Sequence, residues 1–296
     1  MIILLSAADI LQVCAEAGTI RKGETPLAGR KYGLDLGTMN IRIFQGGHGL
    51  VVYEKNMIAI QRKKEVAAIG NDAFEMYERT PASIVISNPV RDGVIADVNN
   101  MNKVAEALLK KCGCTTGFMR NNSFYLAVPS DVTEVEKRAY FDLIAHSAYN
   151  THNIFVVEKP LAAALGENVD VKSKKGMMIV DMGAGTTEIT VITMGGIVVS
   201  KLLKVGGNTI NASICQLVKE RHHLVIGDKT AEYLKLELGH AIPGQGRGKT
   251  VFGRDVITGL PSKAEVSDHL VFDSMKNYLF QVVRTIRNIM ETIPPE

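Results

Sequence analysis

The chain has 296 residues, 46% hydrophobic and 22% charged, a balance that excludes a disordered chain and suits about two domains. Its 34 Lys and Arg against 31 Asp and Glu leave a formal charge of +3, too balanced and too evenly spread for a nucleic-acid surface. With no Trp and 6% aromatics, the core is aliphatic and uses many of the 12 Met. Four cysteines, Cys14, Cys112, Cys114 and Cys215, fit a reducing compartment. Cys112-Gly113-Cys114 lacks the second pair or nearby His that a zinc site needs.

In chain order, residues 1–30 read as a partly helical N-terminal extension that ends in a loop around Pro26. Its apolar start, Met1–Leu5, is far too short to span a bilayer. Tyr32–Leu36, Ile41–Phe44, Leu50–Val52 and Met57–Ile60 read as an antiparallel meander, with Arg62-Lys63-Lys64 as a turn between strands. Helices are expected near Asn71–Tyr77 and over Asn99–Lys111, then a strand at Phe124–Val128. Thr133 and Glu136 spell a capping box for a helix whose apolar face is Val135, Ala139 and Leu143. Ile154–Val157 is a strand, and Pro160 suits the first turn of the helix Leu161–Leu165. Met177–Asp181, Glu188–Ile192 and Ile197–Lys201 repeat the opening meander. From Asn208 onward the pattern reads as mainly helical, over Asn208–Glu220, Lys229–Leu238 and a long helix from about Ser267 to Ile293.

The repeated unit carries the chemistry. Asp35-Leu36-Gly37-Thr38-Met39-Asn40 and Asp181-Met182-Gly183-Ala184-Gly185-Thr186-Thr187 both place Asp at a strand end before a Gly-Thr turn, 146 positions apart (181 − 35). A turn bent at Gly can aim successive backbone N–H groups at an anion with no side chain in the way. Thr38, Asn40 and Thr186 add donors. Carboxylates at Asp35 and Asp181 would repel a phosphate directly, and make sense if Mg²⁺ or its water shell stands between. Two such turns face to face would grip a triphosphate, and a duplicated domain explains the repeat. Gly244–Thr250 is glycine-rich, but no strand leads into it and its spacing is not that of a Walker loop, so it reads as a mobile surface loop. Gly206-Gly207-Asn208 opens a helix whose amides could receive a phosphate or ribose, or be plainly capped. Glu232 and Lys235 are three apart on one helix face, the spacing of an ordinary ion pair.

These loops look like the phosphate motifs shared by actin, the heat-shock chaperone ATPase domain and sugar kinases. The chain more closely resembles the MreB family of bacterial actin-like cell-shape proteins from about Lys31 onward. The resemblance lies in YGLDLGTMNIRIF, Arg79-Thr80-Pro81 with Pro89–Asp97, AVPSDVTEVEKRA, VVEKPLAAALG, IVDMGAGTTEITVI and IGDKTAEYLKLELG. It implies an actin-like ATPase fold of two duplicated α/β domains with a nucleotide cleft between them. The expected boundaries are 31–160 for the first domain, with a small inserted subdomain, and 161–296 for the second with a return helix. The family's final strand, loop and helix would lie beyond Pro294-Pro295-Glu296.

Carried over by residue, the resemblance makes Asp35 and Asp181 the Mg²⁺ ligands. Gly37, Thr38, Met39 and Asn40, with Gly183, Ala184, Gly185 and Thr186, would hold the phosphates of ATP or ADP. Gly207 and Asn208 would add nucleotide contacts, and Glu232 with Lys235 would approach the adenosine. It implies self-association into protofilaments, an apolar membrane-touching loop at Gly117-Phe118-Met119, and a cytoplasmic protein peripheral to the inner membrane. Its partners there would be membrane proteins of the cell-wall elongation machinery. A non-hydrolysing nucleotide-binding scaffold and a sugar-kinase-type transferase are the alternatives.

Two positions depart from the family pattern. Where members read Glu-Glu-Pro, this chain reads Glu158-Lys159-Pro160, so the water-activating carboxylate falls on Lys159. Asn208 stands where Asp is common. Catalysis would then involve Glu158, Lys159 and Thr186 in an ATPase weakened because an ammonium cannot accept water's proton.

Overall fold

The structure, a computed structural model, describes residues 30–61, 65–114, 122–147, 149 and 151–293. The extension up to Gly29, the Arg62-Lys63-Lys64 turn and the Gly117-Phe118-Met119 loop lie outside the described residues. The chain divides into two compact units, one closing at Lys204 and the other opening at Val205.

In the first unit, β1 (Lys31–Leu36), β2 (Asn40–Gln45) and β3 (Gly49–Lys55) form the expected antiparallel meander. β4 (Ile58–Gln61), β5 (Glu65–Ile69) and, after α1 (Asn71–Met76), β6 (Ile84–Ser87) make a separate small sheet with β4 in the middle. β7 (Val90–Arg91) and β8 (Val94–Ile95) pair across a tight turn whose Asp92 and Gly93 both have positive φ. Then follow α2 (Val98–Lys111), β9 (Asn122–Val128), α3 (Glu134–Ala145) and β10 (Thr151–Glu158). β9 and β10 extend the first sheet in parallel, giving the order β10-β9-β1-β2-β3.

This sheet is apolar on both faces. Leu34 and Leu36 share one core with Met101, Val104 and Leu108 of α2 and Tyr140, Leu143 and Ile144 of α3. By strand alternation Asp35 belongs to the opposite face. The α3 capping box forms as expected, with Thr133 Oγ1 accepting from Glu136 N and Glu136 Oε2 accepting from Thr133 N. The apolar face of α3 is turned from the expected one: Val135 is 80% exposed, because the helix packs Tyr140, Leu143 and Ile144 into the core.

α4 (Lys159–Gly166) has Pro in its first turn and leads to a second meander, β11 (Met177–Met182), β12 (Thr187–Thr193) and β13 (Gly196–Leu203). The repeat read in the sequence holds in register: Asp35 stands opposite Arg42 in the first hairpin, and Asp181 opposite Glu188 in the second. α4 packs against both meanders. Ala162 joins Phe44, Tyr125 and Ala127 of the first sheet, while Ala163 and Ala164 join Ile179 and Ile192 of the second. Side chains no larger than methyl let one helix lie against two sheets at once, which fixes the start of α4 near both Asp-bearing strands.

The second unit corrects the reading of a mainly helical end. Beside α5 (Gly207–His222), α6 (Asp228–Leu238) and α7 (Asp268–Thr292), it holds a three-stranded sheet of β14 (Leu224–Val225), β15 (Gly248–Asp255) and β16 (Pro261–Ser267). In β15 and β16 only Val251 and Val266 are buried, too few to give an alternating apolar signal. The glycine-rich stretch expected as a mobile loop runs directly into β15, and its bend is tied down. Asp268 Oδ2 accepts from Gln245 N at 2.8 Å and Arg247 N at 3.1 Å, and Oδ1 accepts from Gly246 N at 3.3 Å. This turn is an amide cradle already filled by the protein's own carboxylate.

Burial opposes the Asp268 charge, but the amides of Arg247, Gln245 and Gly246 hold its carboxyl below the ordinary aspartate range. A lowered folded value means that its stabilisation is present above the unfolded-state pKa and is lost as pH falls through the folded one. Asp268→Ala is expected to lower the melting temperature and erase hydrogen-exchange protection at Gln245, Gly246 and Arg247. Unchanged protection at those amides would show that the carboxylate does not order the turn.

Candidate functional site

Two tight turns build the site. The first, between β1 and β2, is clamped by asparagines. Fully buried Asn56 donates through Nδ2 to Gly37 O at 2.8 Å and through its backbone N to Met39 O at 2.9 Å. Asn88 Nδ2 donates to Thr38 O at 3.2 Å. In the second, between β11 and β12, Gly183 N donates to Thr186 O at 2.8 Å. The two turns touch. A Cβ on Gly185 would lie 2.7 Å from Thr38 Oγ1, and one on Gly37 would lie 2.8 Å from Asn40 O. Ala184 packs against the buried cluster of Met39, Met57, Ala59 and Ala73.

Together they line a cavity of about 250 Å³. Asp35, Gly37, Thr38, Met39, Asn40, Lys159, Asp181, Gly183, Ala184, Gly185 and Thr186, all named from the sequence, lie on its wall. Glu158 does not line it: it ends β10 and caps α4 without a side-chain bond. Arg42, Gly93 and Tyr140, which no motif in the sequence singles out, also line it because chain-distant elements meet there. Tyr140 Oη donates to Gly93 O at 2.9 Å, fixing the β7–β8 turn beside Thr186.

The charges are arranged around Lys159. Its Nζ lies 3.2 Å from Asp181 Oδ2 and 3.8 Å from Asp35 Oδ1. Asp35 Oδ2 also accepts from Arg42 Nη1 at 3.1 Å. Burial draws the Lys159 pKa down, but the Asp181 and Asp35 carboxylates outweigh it and hold the ammonium charged, above the ordinary lysine value. Behind this pair, Glu188 Oε1 accepts from Ser130 N at 2.8 Å and from the hydroxyls of Ser130 and Ser200. Burial raises the Glu188 pKa, and its bonds to Ser130 moderate the rise. Ser130 thereby ties the end of β9 to the second meander.

In the second unit, Lys235 Nζ donates to Gly207 O at 3.2 Å, and Asn211 Nδ2 donates to Glu232 Oε2 at 3.3 Å. Asn208 follows Gly207 in the first turn of α5. Burial lowers the Lys235 pKa, tempered by Glu232 and Asp228. Asn211 is fully buried, with Oδ1 unbonded, and was absent from the sequence reading. Elsewhere, burial pushes the thiols of Cys112 and Cys114 up to about 12 and about 11, so both stay protonated.

Whether a polyphosphate and a divalent cation suit this lining can be judged from its chemistry. The side-chain-free backbone of Gly37, Gly183 and Gly185 and the adjoining Thr38 and Thr186 on the cavity wall suit phosphate oxygens. The donor set for a metal fits poorly, since Asp35 and Asp181 are both paired to Lys159 and Asp35 also to Arg42. Among the described residues no three His, Cys, Asp or Glu side chains converge to hold a metal ion.

A protein-family model described as "MreB/Mbl protein" matches residues 29–296. The chain is 35% identical over 272 residues to the cell shape-determining protein MreB of Escherichia coli, covering 89% of this chain and 77% of that one. It is 33% identical over 269 residues to the cell shape-determining protein Mbl of Bacillus cereus, covering 90% and 80%. Among solved structures, MreB 5 of Spiroplasma citri bound to AMPPNP superposes with a TM-score of 0.83 at 30% identity, over 91% of this chain and 81% of that one.

Proposed function

The chain belongs to the MreB/Mbl family and has its actin-like α/β fold, and from that premise we propose that it is an ATP-binding cytoskeletal protein that assembles into filaments. The observation that carries the reading is the close approach of the Gly185 and Thr38 turns, which puts both glycine-bearing turns on one crevice. The AMPPNP carried by the Spiroplasma citri relative supports the choice of nucleotide. In this reading the phosphates rest on Gly37–Asn40 and Gly183–Thr186. Gly207, Asn208, Glu232 and Lys235 are assigned to nucleotide contact on the family resemblance alone. The finer role, filaments on the inner membrane acting with the cell-wall elongation machinery to set cell shape, is part of the same proposal and also rests on family membership. No helix among the described residues is long and apolar enough to cross a membrane. ATP is expected to convert the protein into sedimenting filaments visible by electron microscopy, and a strictly monomeric protein at high concentration with saturating ATP would sink the filament reading.

A second reading concerns turnover. Attack on the terminal phosphoryl group needs a water whose proton is accepted and whose approach is fixed. Lys159 has three N–H donors and no acceptor when charged, and Glu158 is off the cavity wall. We therefore read this chain as a slow ATPase or a non-hydrolysing scaffold, in which nucleotide occupancy rather than cleavage governs assembly.

A further inference from the structure

We propose that the Lys159 ammonium is a built-in counterion that takes the place of a divalent cation, so that a nucleoside polyphosphate binds in the crevice without a metal. This rests on the nucleotide reading above and goes further by fixing the charge state of the ligand that the site accepts.

Three observations converge on it. Lys159 Nζ bridges the two carboxylates, at 3.2 Å from Asp181 Oδ2 and 3.8 Å from Asp35 Oδ1. Arg42 Nη1 takes the other oxygen of Asp35 at 3.1 Å. Two carboxylates thus face two cations, and the cavity wall that would present two negative charges to a metal is neutral. Second, Lys159 stands in the first turn of α4, where the exposed amides already concentrate positive charge. A cation there is stable only because both carboxylates hold it, so the pairing is a built arrangement rather than a loose surface contact. Third, α4 is locked between two sheets by Ala162, Ala163 and Ala164, which leaves its first turn little room to withdraw.

Magnesium needs near-octahedral oxygen coordination and gives up its waters reluctantly. Approaching Asp35 and Asp181 it would meet an ammonium of like charge already on their oxygens. Glu188, the remaining carboxylate nearby, is engaged by Ser130 and Ser200 and is absent from the cavity wall. A polyphosphate meets the reverse situation, because an ammonium is a good point-charge partner for its oxygens.

The test is calorimetric titration of ATP into the full chain, once with excess Mg²⁺ and once with EDTA. The two dissociation constants are expected to agree within about threefold, and a loss of more than about tenfold in EDTA would overturn the proposal. In the Lys159→Glu protein, metal dependence should appear, with ATP bound at least about tenfold more weakly in EDTA; equal binding in both buffers would also count against the role of Lys159. If that variant does not fold, Lys159→Gln, which keeps a polar donor one atom closer to the backbone without the charge, should weaken ATP binding in EDTA, and unchanged binding overturns the proposal. Binding that requires Mg²⁺ refutes this inference and leaves the nucleotide reading standing, whereas no binding in either buffer removes both.

Discussion

Replacing Lys159 with Glu is expected to raise ATP turnover by at least about tenfold, toward the 10²–10⁴ that a positioned general base contributes. Lys159 lies on the cavity wall between Asp35 and Asp181, and the preceding residue, Glu158, lies off it. A carboxylate at 159 would supply a proton acceptor on a wall whose own carboxylates, Asp35 and Asp181, are held in ion pairs. The same change carries a penalty in stability. It breaks both buried pairs and sets a third carboxylate beside two others, and losing one partner of a buried pair costs about 3–5 kcal/mol. The Lys159 side chain is 21% exposed, so the lower end of that range is expected. Adding Mg²⁺ should recover part of the lost melting temperature in the variant and little in the parent chain. Phosphate release at 25 °C and thermal melts with and without Mg²⁺ decide the matter. A variant that melts lower but hydrolyses no faster would show that residue 159 is structural and that water is activated from elsewhere.

Gly185→Ala should weaken ATP binding by about tenfold or more, the equivalent of at least ~1.4 kcal/mol. The new methyl would lie 2.7 Å from Thr38 Oγ1, 3.0 Å from Cγ2 and 3.2 Å from Cβ. A rotamer change cannot relieve all three contacts, since Cβ is fixed to the backbone. That backbone is held in turn by Asn88 at Thr38 O and by Asn56 on either side. The two cradles must therefore separate, and phosphate groups that both should grip lose one of them. Overpacking of this kind also destabilises by about 1–3 kcal/mol. Thr38→Gly removes every clashing atom, so the double substitution should recover stability. It should recover affinity only in part, because the Thr38 hydroxyl is gone. Wild-type affinity in Gly185→Ala alone would mean that the turns do not act on the ligand together.

How far the sequence could be read follows from the range of the forces involved. The two Asp-Gly-Thr hairpins were legible because a hairpin is local: strand, carboxylate, bend and return strand lie within residues 31–45 and 177–193. Their equivalence, Asp35 opposite Arg42 and Asp181 opposite Glu188, follows from equal spacing along the chain. The Thr133–Glu136 capping box was legible for the same reason. The sheet of β14, β15 and β16 was not, because its strands bury few side chains and carry Lys, Arg and Glu where alternation would show apolar residues. Nor was the exposed position of Val135, since the phase of a helix against its sheet is settled by packing.

By itself, then, the sequence determined the pair of phosphate-type turns, the family and the substitution at Lys159, all properties of neighbouring residues or of a pattern along the chain. Only tertiary structure decided what Lys159 does. Its two carboxylate partners stand 124 positions before it and 22 after (159 − 35 and 181 − 159), and three small alanines of α4 bring their strands to either side of it. Tertiary structure likewise filled the Gly244–Arg247 bend with Asp268 and set Gly185 against Thr38. Electrostatic pairing and steric exclusion act through space over a few ångströms, and chain separation gives no measure of that distance.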